Sequence, residues 1–180
     1  MHFVRQSVVV VVAVAGAACT LVFDQPGTPL ARAAQAGDVA AIRTLVAQGA
    51  DPNAFDASGQ TALHWAARGG HPVGPHRCRG EHAEWPKVIA ALVDLGASVD
   101  AVDRRRAVPG GSSGWTPLHV ALHHEQFAVA ALLLERGANP NIRSGQGRSV
   151  LEVASSEGAP RELLQALLDR GYDARLARRP

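Results

Sequence analysis

Thiols, lysine and aromatic rings are scarce in this chain. Two cysteines, Cys19 and Cys78, stand in 180 residues. If Cys19 is lipidated or removed, Cys78 is left alone, so no internal disulfide framework is implied. The formal net charge is only +2. A nucleic-acid footprint needs a clustered basic excess, and that class of partner is excluded. No GxSxG, HExxH or phosphate-loop pattern occurs, which removes the common hydrolase, metalloprotease and nucleotide-triphosphatase signatures. His123-His124-Glu125 has no nucleophile beside it. Catalysis requires convergent groups, so the chain reads as a non-enzyme that calls for no cofactor.

What is present is repetition. Gly114-Trp115-Thr116-Pro117-Leu118-His119-Val120-Ala121 has a second copy in Gly59-Gln60-Thr61-Ala62-Leu63-His64-Trp65-Ala66. Gly27-Thr28-Pro29-Leu30-Ala31-Arg32-Ala33 is a degraded third copy, and Gly147-Arg148-Ser149-Val150-Leu151-Glu152-Val153-Ala154 a fourth. The marker hydroxyls Thr28, Thr61, Thr116 and Ser149 are separated by 33, 55 and 33 residues. A hydroxyl there is a good N-cap, and a proline just after it suits the first helical turn. Small residues follow (Ala33-Ala34, Ala66-Ala67, Ala121, Ala154) and let two antiparallel helices approach closely.

A second apolar stretch trails each marker. Ile42, Leu45 and Val46 fall at i, i+3 and i+4, as do Ile89, Leu92 and Val93, then Ala130, Leu133 and Leu134, then Leu164, Leu167 and Leu168. That spacing lines one face of a helix. The glycine behind each stretch (Gly49, Gly96, Gly137, Gly171) suits a left-handed stop. Helices are predicted near 29–36, 38–48, 62–69, 86–95, 117–124, 126–136, 149–156 and 160–170.

A 33-residue period carrying Thr-Pro-Leu-His-x-Ala resembles the ankyrin-repeat family. The resemblance covers nearly everything from Gly27 onward. It implies an all-α solenoid of four helix-turn-helix repeats, about 27–59, 60–114, 115–147 and 148–174, within a domain spanning 24–180. It also implies binding to another protein, through finger tips and the inner helix face, by a chain acting as a monomer. His64 and His119 match the motif histidine, which in this family hydrogen-bonds the Thr hydroxyl and nearby backbone. Ala31 and Glu152 replace it in the outer repeats, which are expected to be less well tied.

Two insertions interrupt the period. About 14 extra residues separate the helices of repeat two, and 8 extend the following finger. Long loops on compact scaffolds are often functional. The first insertion, within 71–86, carries His71, His76, Cys78 and His82. Imidazole and thiol ligands suit zinc, although the spacing matches no standard module, and the alternative is a polar loop with Trp85 packed back on the second helix. The second insertion opens with Arg104-Arg105-Arg106, suited to carboxylates on a partner. The variable finger positions are Phe55, Asp56, Ala57, Ser58, Val102, Asp103, Ile142 and Arg143, and the variable motif position holds Arg32, Trp65, Val120 and Val153. Exposed aromatics and arginines favour interfaces, so Phe55, Trp65, Arg104, Arg105, Arg106 and Arg143 are the expected contacts, with His123 and His124 beside them. Trp115 is expected to pack instead.

The first 23 residues do not fit the repeats. Arg5 precedes an unbroken apolar run, Val8 to Ala18. This reads as a secretory signal peptide or, extended through Phe23, an N-terminal membrane anchor. Gly16-Ala17-Ala18-Cys19 resembles a bacterial lipobox with Cys19 as the lipidated residue, although Gly16 stands where a larger apolar residue is usual. Removal of residues 1–18 leaves 17 basic against 16 acidic side chains. A single lysine, Lys87, against 17 arginines, with abundant alanine, suggests a GC-rich bacterial genome. The expectation is an exported protein, periplasmic or membrane-anchored in a bacterial envelope, touching membrane only through its N-terminal segment. Inhibition of an enzyme or toxin is one role for such a binder. A scaffold for a periplasmic enzyme, and a metal or redox sensor built on the 71–85 insertion, are the alternatives.

Overall fold

A computed structural model of the chain describes residues 9–14, 17–22, 27–69, 85–105 and 113–170. Its helices are α1 (Pro29–Ala36), α2 (Val39–Ala47), α3 (Ala62–Ala67), α4 (Trp85–Asp94), α5 (Pro117–His123), α6 (Phe127–Glu135), α7 (Val150–Ser156) and α8 (Arg161–Asp169). Ahead of them, β1 (Val9–Val14) and β2 (Ala17–Val22) pair antiparallel, with Val9 opposite Val22 and Val14 opposite Ala17. The repeat region is therefore all-α as expected, and the two strands belong to the segment before it. No helix among the described residues is long and apolar enough to cross a membrane.

The helices stack in two layers. The inner layer runs α1, α3, α5, α7 and the outer layer α2, α4, α6, α8, each helix touching its neighbours in its own layer and its partner in the other. The reason lies in the side chains. Ala34, Ala66, Ala67, Ala121 and Ala154 are fully buried, so inner and outer helices meet almost backbone to backbone. Ile42, Ile89, Leu92, Leu133, Leu134 and Leu167 are buried from the outer layer. No single hairpin encloses such a stripe, and one continuous core runs through all four units. Trp85 opens α4 and lays its ring against the α1–α2 turn, 3.5 Å from the position a Cβ would take on Gly37. Open at the far end, Leu168 on α8 is 45 % exposed.

Polar bonds fix the stacking register. Thr61 N–H donates to His64 Nδ1 at 3.2 Å, and the Thr61 hydroxyl lies 2.8 Å from the same nitrogen. With Nδ1 accepting, the ring proton sits on Nε2, which donates to the Trp115 carbonyl of the next repeat at 2.9 Å. His119 repeats the inner half of this arrangement, its Nδ1 lying 2.9 Å from the Thr116 hydroxyl. Its buried Nε2 faces the Arg148 backbone of the next repeat, the counterpart of the Trp115 carbonyl, without a hydrogen bond of ordinary geometry, so this outer link is weaker than that of His64. Glu152 corrects the expectation of a poorly tied last unit. Its carboxylate accepts the Ser149 N–H at 2.7 Å while Ser149 Oγ accepts the Glu152 N–H, so the local cap is complete. In repeat one Ala31 has no side chain to reciprocate, and Thr28 Oγ1 alone caps α1.

The fingers are pinned in the same repetitive way. Asp56 N–H donates to the Gln60 carbonyl at 2.8 Å, and Asp103 N–H to the Trp115 carbonyl at 2.8 Å. Ser144 N–H donates to the Arg148 carbonyl at 3.0 Å. The eight-residue insertion thus lies between Asp103 and Trp115, closed at its neck by the bond that closes an ordinary finger. Successive fingers are joined by Arg104 N–H to the Gly59 carbonyl and Gly145 N–H to the Ser113 carbonyl, both 2.8 Å. This approach is why Gly114 has no side chain: it sits at φ +64°, and a Cβ there would lie 2.5 Å from Gly145 N.

Two outcomes are expected. Gly114→Ala should lower unfolding free energy by more than ~2 kcal/mol, since it adds a backbone collision to left-handed strain. Gly137→Ala, at φ +89° with nothing within 4 Å, should cost only about 1 kcal/mol; equal losses in urea denaturation would refute the collision. Separately, burial holds both His64 and His119 down at about 4. Their neutral forms favour the folded state fully above the ordinary value near 6.5, and that stability drains away as pH falls from there toward 4. Urea midpoints should therefore decline between pH 7 and 5, by an amount corresponding to at least about 1 kcal/mol. A flat profile over that window would contradict it.

Candidate partner-binding surface

The groups on the fingers and inner helices divide sharply into those the scaffold consumes and those it leaves outward. Asp56 and Asp103, expected at the surface, are buried. Asp56 Oδ1 accepts from Ser58 N–H, Ser58 Oγ and Gln60 N–H at 2.9, 2.6 and 3.0 Å. Burial pushes the Asp56 carboxyl up, but these bonds together with those from Trp65 and Gly27 outweigh it and leave it below its usual value. Asp103 accepts the Trp115 N–H at 3.1 Å and the Arg105 Nε–H at 2.7 Å.

Trp65 is the main correction. It was expected as an exposed anchor, yet it is fully buried, with its indole N–H donating to Asp56 Oδ2 at 2.8 Å. Arg68 covers one face of the ring, 4.7 Å from its centroid. Val120 and Val153, at the equivalent position, are likewise buried, and only Arg32 of that column is exposed. Trp115 packs as expected, buried against His119 at 6.2 Å and edge-on to His123 at 4.8 Å.

The remaining expected residues do reach the outside. Phe55 is half-buried and Arg104 exposed, and the guanidinium carbon of Arg104 lies 3.9 Å above the Phe55 ring centre. Val102 beside it is 43 % exposed. Arg105 is half-buried and held by Asp103. Arg143 is half-buried and donates to the Gly147 carbonyl. His123 is exposed, with Nδ1 2.8 Å from Glu157 Oε1 across the repeat boundary, and its ring meets His124 at 5.2 Å. An exposed pair of this kind contributes little stability. Phe55, Val102 and Arg104 sit on two adjacent fingers joined through Gly59, and form one patch. Arg143 lies a finger further on, and the His123–Glu157 pair at the end of the inner helices. Arg106, His76, Cys78 and His82 lie outside the described residues, and no side-chain geometry is described for Cys19, which is placed on β2 opposite Val12.

Sequence reasoning missed Asp56 as a structural acceptor, Arg68 as the lid on Trp65, and Arg148, which donates to Ser156 Oγ at 3.0 Å. A signal for the first was available: Asp56-x-Ser58-x-Gln60 is the pattern of a carboxylate folding back on its own turn. Trp65→Phe keeps an aromatic ring but leaves Asp56 Oδ2 with only the longer 3.3 Å bond from the Gly27 N–H, and should cost roughly 1–3 kcal/mol in chemical denaturation. An unchanged midpoint would mean that the indole bond is not formed.

With the geometry in place, comparison with known proteins is direct. A family model described as ankyrin repeats (many copies) matches residues 30–74, and one described as ankyrin repeat matches 58–104 and 113–145. Among curated proteins, the chain is 33% identical over 130 residues to palmitoyltransferase Hip14 of Drosophila melanogaster, covering 72% of the chain and 17% of that protein. It is 34% identical over 148 residues to human ankyrin repeat and SOCS box protein 18, covering 71% and 30%. To the mouse B-cell lymphoma 3 protein homolog it is 30% identical over 158 residues, covering 75% and 34%. The chain thus spans at most about a third of the length of these relatives. By its repeat period, its two-layered helices and these matches, the chain belongs to the ankyrin-repeat family.

Proposed function

We propose that the chain works as a non-catalytic binder of another protein, engaging it chiefly through the Phe55–Val102–Arg104 patch on the finger tips. Ankyrin repeats are protein–protein interaction modules, so a binding role follows from the family itself. The observation that carries the choice of surface is the division of labour in the fingers. Their backbone groups and carboxylates are used up internally, and an apolar side chain, a stacked ring and a guanidinium are left facing outward on a rigid support. Apolar and arginine side chains at such a spot are favoured anchors. The two buried histidines, which would be the natural acid–base groups, are locked into caps and held neutral at physiological pH by burial.

The setting of that activity is the bacterial envelope. Support comes from the composition of the N-terminal segment: Arg5, then the apolar run Val8 to Ala18, then Cys19 behind small residues. An exported binder of this size is suited to inhibiting an enzyme or toxin that its own cell encounters there. Service as a scaffold for a periplasmic enzyme rests on the same surface. Metal or redox sensing rests on His76, Cys78 and His82 of the insertion, and a zinc titration that shows no uptake, with Cys78→Ser unchanged, removes it.

The binding surface is tested by quantitative cross-linking from an envelope extract. The tagged chain is compared with a Phe55→Ser/Val102→Ser variant and with a Leu168→Ser control on α8. The finger variant is expected to lose at least about nine-tenths of the captured partner, as two anchors worth over 1 kcal/mol would dictate, while the control keeps it. Equal capture by all three would overturn the proposed face. Export is tested by intact-mass analysis of the envelope fraction, where a chain shortened to near residue 18 and acylated on Cys19, or cleaved nearby, is expected. A full-length chain confined to the cytoplasm would overturn it.

A further inference from the structure

Arg104 differs from the other described finger arginines in how it is held. Arg105 gives its Nε–H to Asp103, Arg143 binds the Gly147 carbonyl, and Arg148 binds Ser156. Among the described residues, the Arg104 guanidinium finds no hydrogen-bond acceptor. It lies flat over Phe55 instead, 3.9 Å from the ring centre, while the side chain stays exposed. Its backbone N–H is spent on the Gly59 carbonyl at 2.8 Å, which fixes the root of the side chain. Stacking restrains the long side chain and leaves the guanidinium edge, with its in-plane N–H donors, open to solvent. Much of the rotamer entropy that a free surface arginine loses on binding is therefore already lost.

Charge narrows the ligand. Asp103 neutralises Arg105 next door at 2.7 Å, so among the described residues Arg104 is the cation left unneutralised at the patch. A singly charged, planar acceptor matches that fork in both charge and geometry. A phosphate dianion or a polyanionic surface matches it less well, because either is better served by several cations together. Beside the fork, Val102 is 43 % exposed and Phe55 is half-buried.

We propose that Arg104, shelved on Phe55, is a preformed fork for one carboxylate, an Asp or Glu side chain flanked by apolar surface on the partner protein. This deepens the binding role proposed above and rests on it. The shelf makes Phe55 a positioning residue: it holds the guanidinium and leaves the pairing to Arg104.

The test uses the full-length chain labelled with 15N and follows the arginine Nε–H signals. The probe is acetyl-Gly-Glu-Gly-amide. Acetyl-Gly-Gln-Gly-amide, inorganic phosphate and vesicles containing one-quarter phosphatidylglycerol are run in parallel. The Arg104 signal is expected to shift and saturate with the Glu peptide but not with the Gln peptide. The signal of Arg161, an exposed arginine on α8, should move far less. Phe55→Leu should weaken the interaction about threefold or more, the equivalent of a surface cation–π contact, with circular dichroism unchanged. Arg104→Lys, which keeps the charge and loses the fork, should remove saturation. A silent Arg104, a response shared equally with Arg161, or a larger response to phosphate or vesicles would each overturn the proposal. Loss of partner capture by the finger variant alongside a silent Arg104 would leave the binding surface standing and remove only the fork.

Discussion

Each helical hairpin here has an apolar stripe wider than it can cover alone. Ile42 belongs to the first unit and Leu167 to the last, yet both are buried in one core that spans every interface between units. Short helices of six to ten residues would be marginal in isolation, and their stability comes from neighbours. Everything else in the architecture follows from that dependence. The alanines that let layers close, the glycines that let fingers touch and the caps that end helices cheaply all serve to bring one unit against the next.

Apolar contact alone does not set register, because small smooth surfaces slide. The polar seam does that. His64 reads Thr61 of its own unit with one nitrogen and Trp115 of the next with the other, so the ring measures the offset between two repeats. Burial keeps the ring neutral, and a proton on Nδ1 would also compete with the Thr61 N–H for one position. At the following boundary His119 keeps its inner bond, and its outer nitrogen meets the Arg148 backbone less well. The last two units are then joined by packing and by side-chain links such as His123 with Glu157.

Most of the scaffold was legible because its signals are local. The marker hydroxyls, the i, i+3, i+4 stripes and the terminating glycines each act within a turn or two, and the helices lie within two residues of where that reading puts them. The surface was harder. Whether Trp65 faces a partner or the interior depends on Arg68 and Asp56, which fold over and under it, and a linear pattern does not show which neighbour wins. Asp56 and Asp103 look like ordinary polar finger residues until their turns close around them. Phe55 and Arg104 were recognised as individuals, but their stacking joins positions nearly fifty residues apart, brought together where the Arg104 N–H meets the Gly59 carbonyl of the neighbouring finger. The alternation of residue types carries no record of that meeting.

Near the tips the ladder that joins the fingers uses main-chain atoms, while the Asn53 and Asp100 side chains add rungs at its base. Arg104 contributes its N–H and Gly59 its carbonyl, and Gly145 and Ser113 do the same one unit on. Identity at the outward positions is therefore largely uncoupled from foldability: a tip residue can be exchanged without withdrawing a rung. Even the eight-residue lengthening between Asp103 and Trp115 leaves the neck closed. Such a frame can drift toward new targets one side chain at a time, with its rigidity inherited intact at every step.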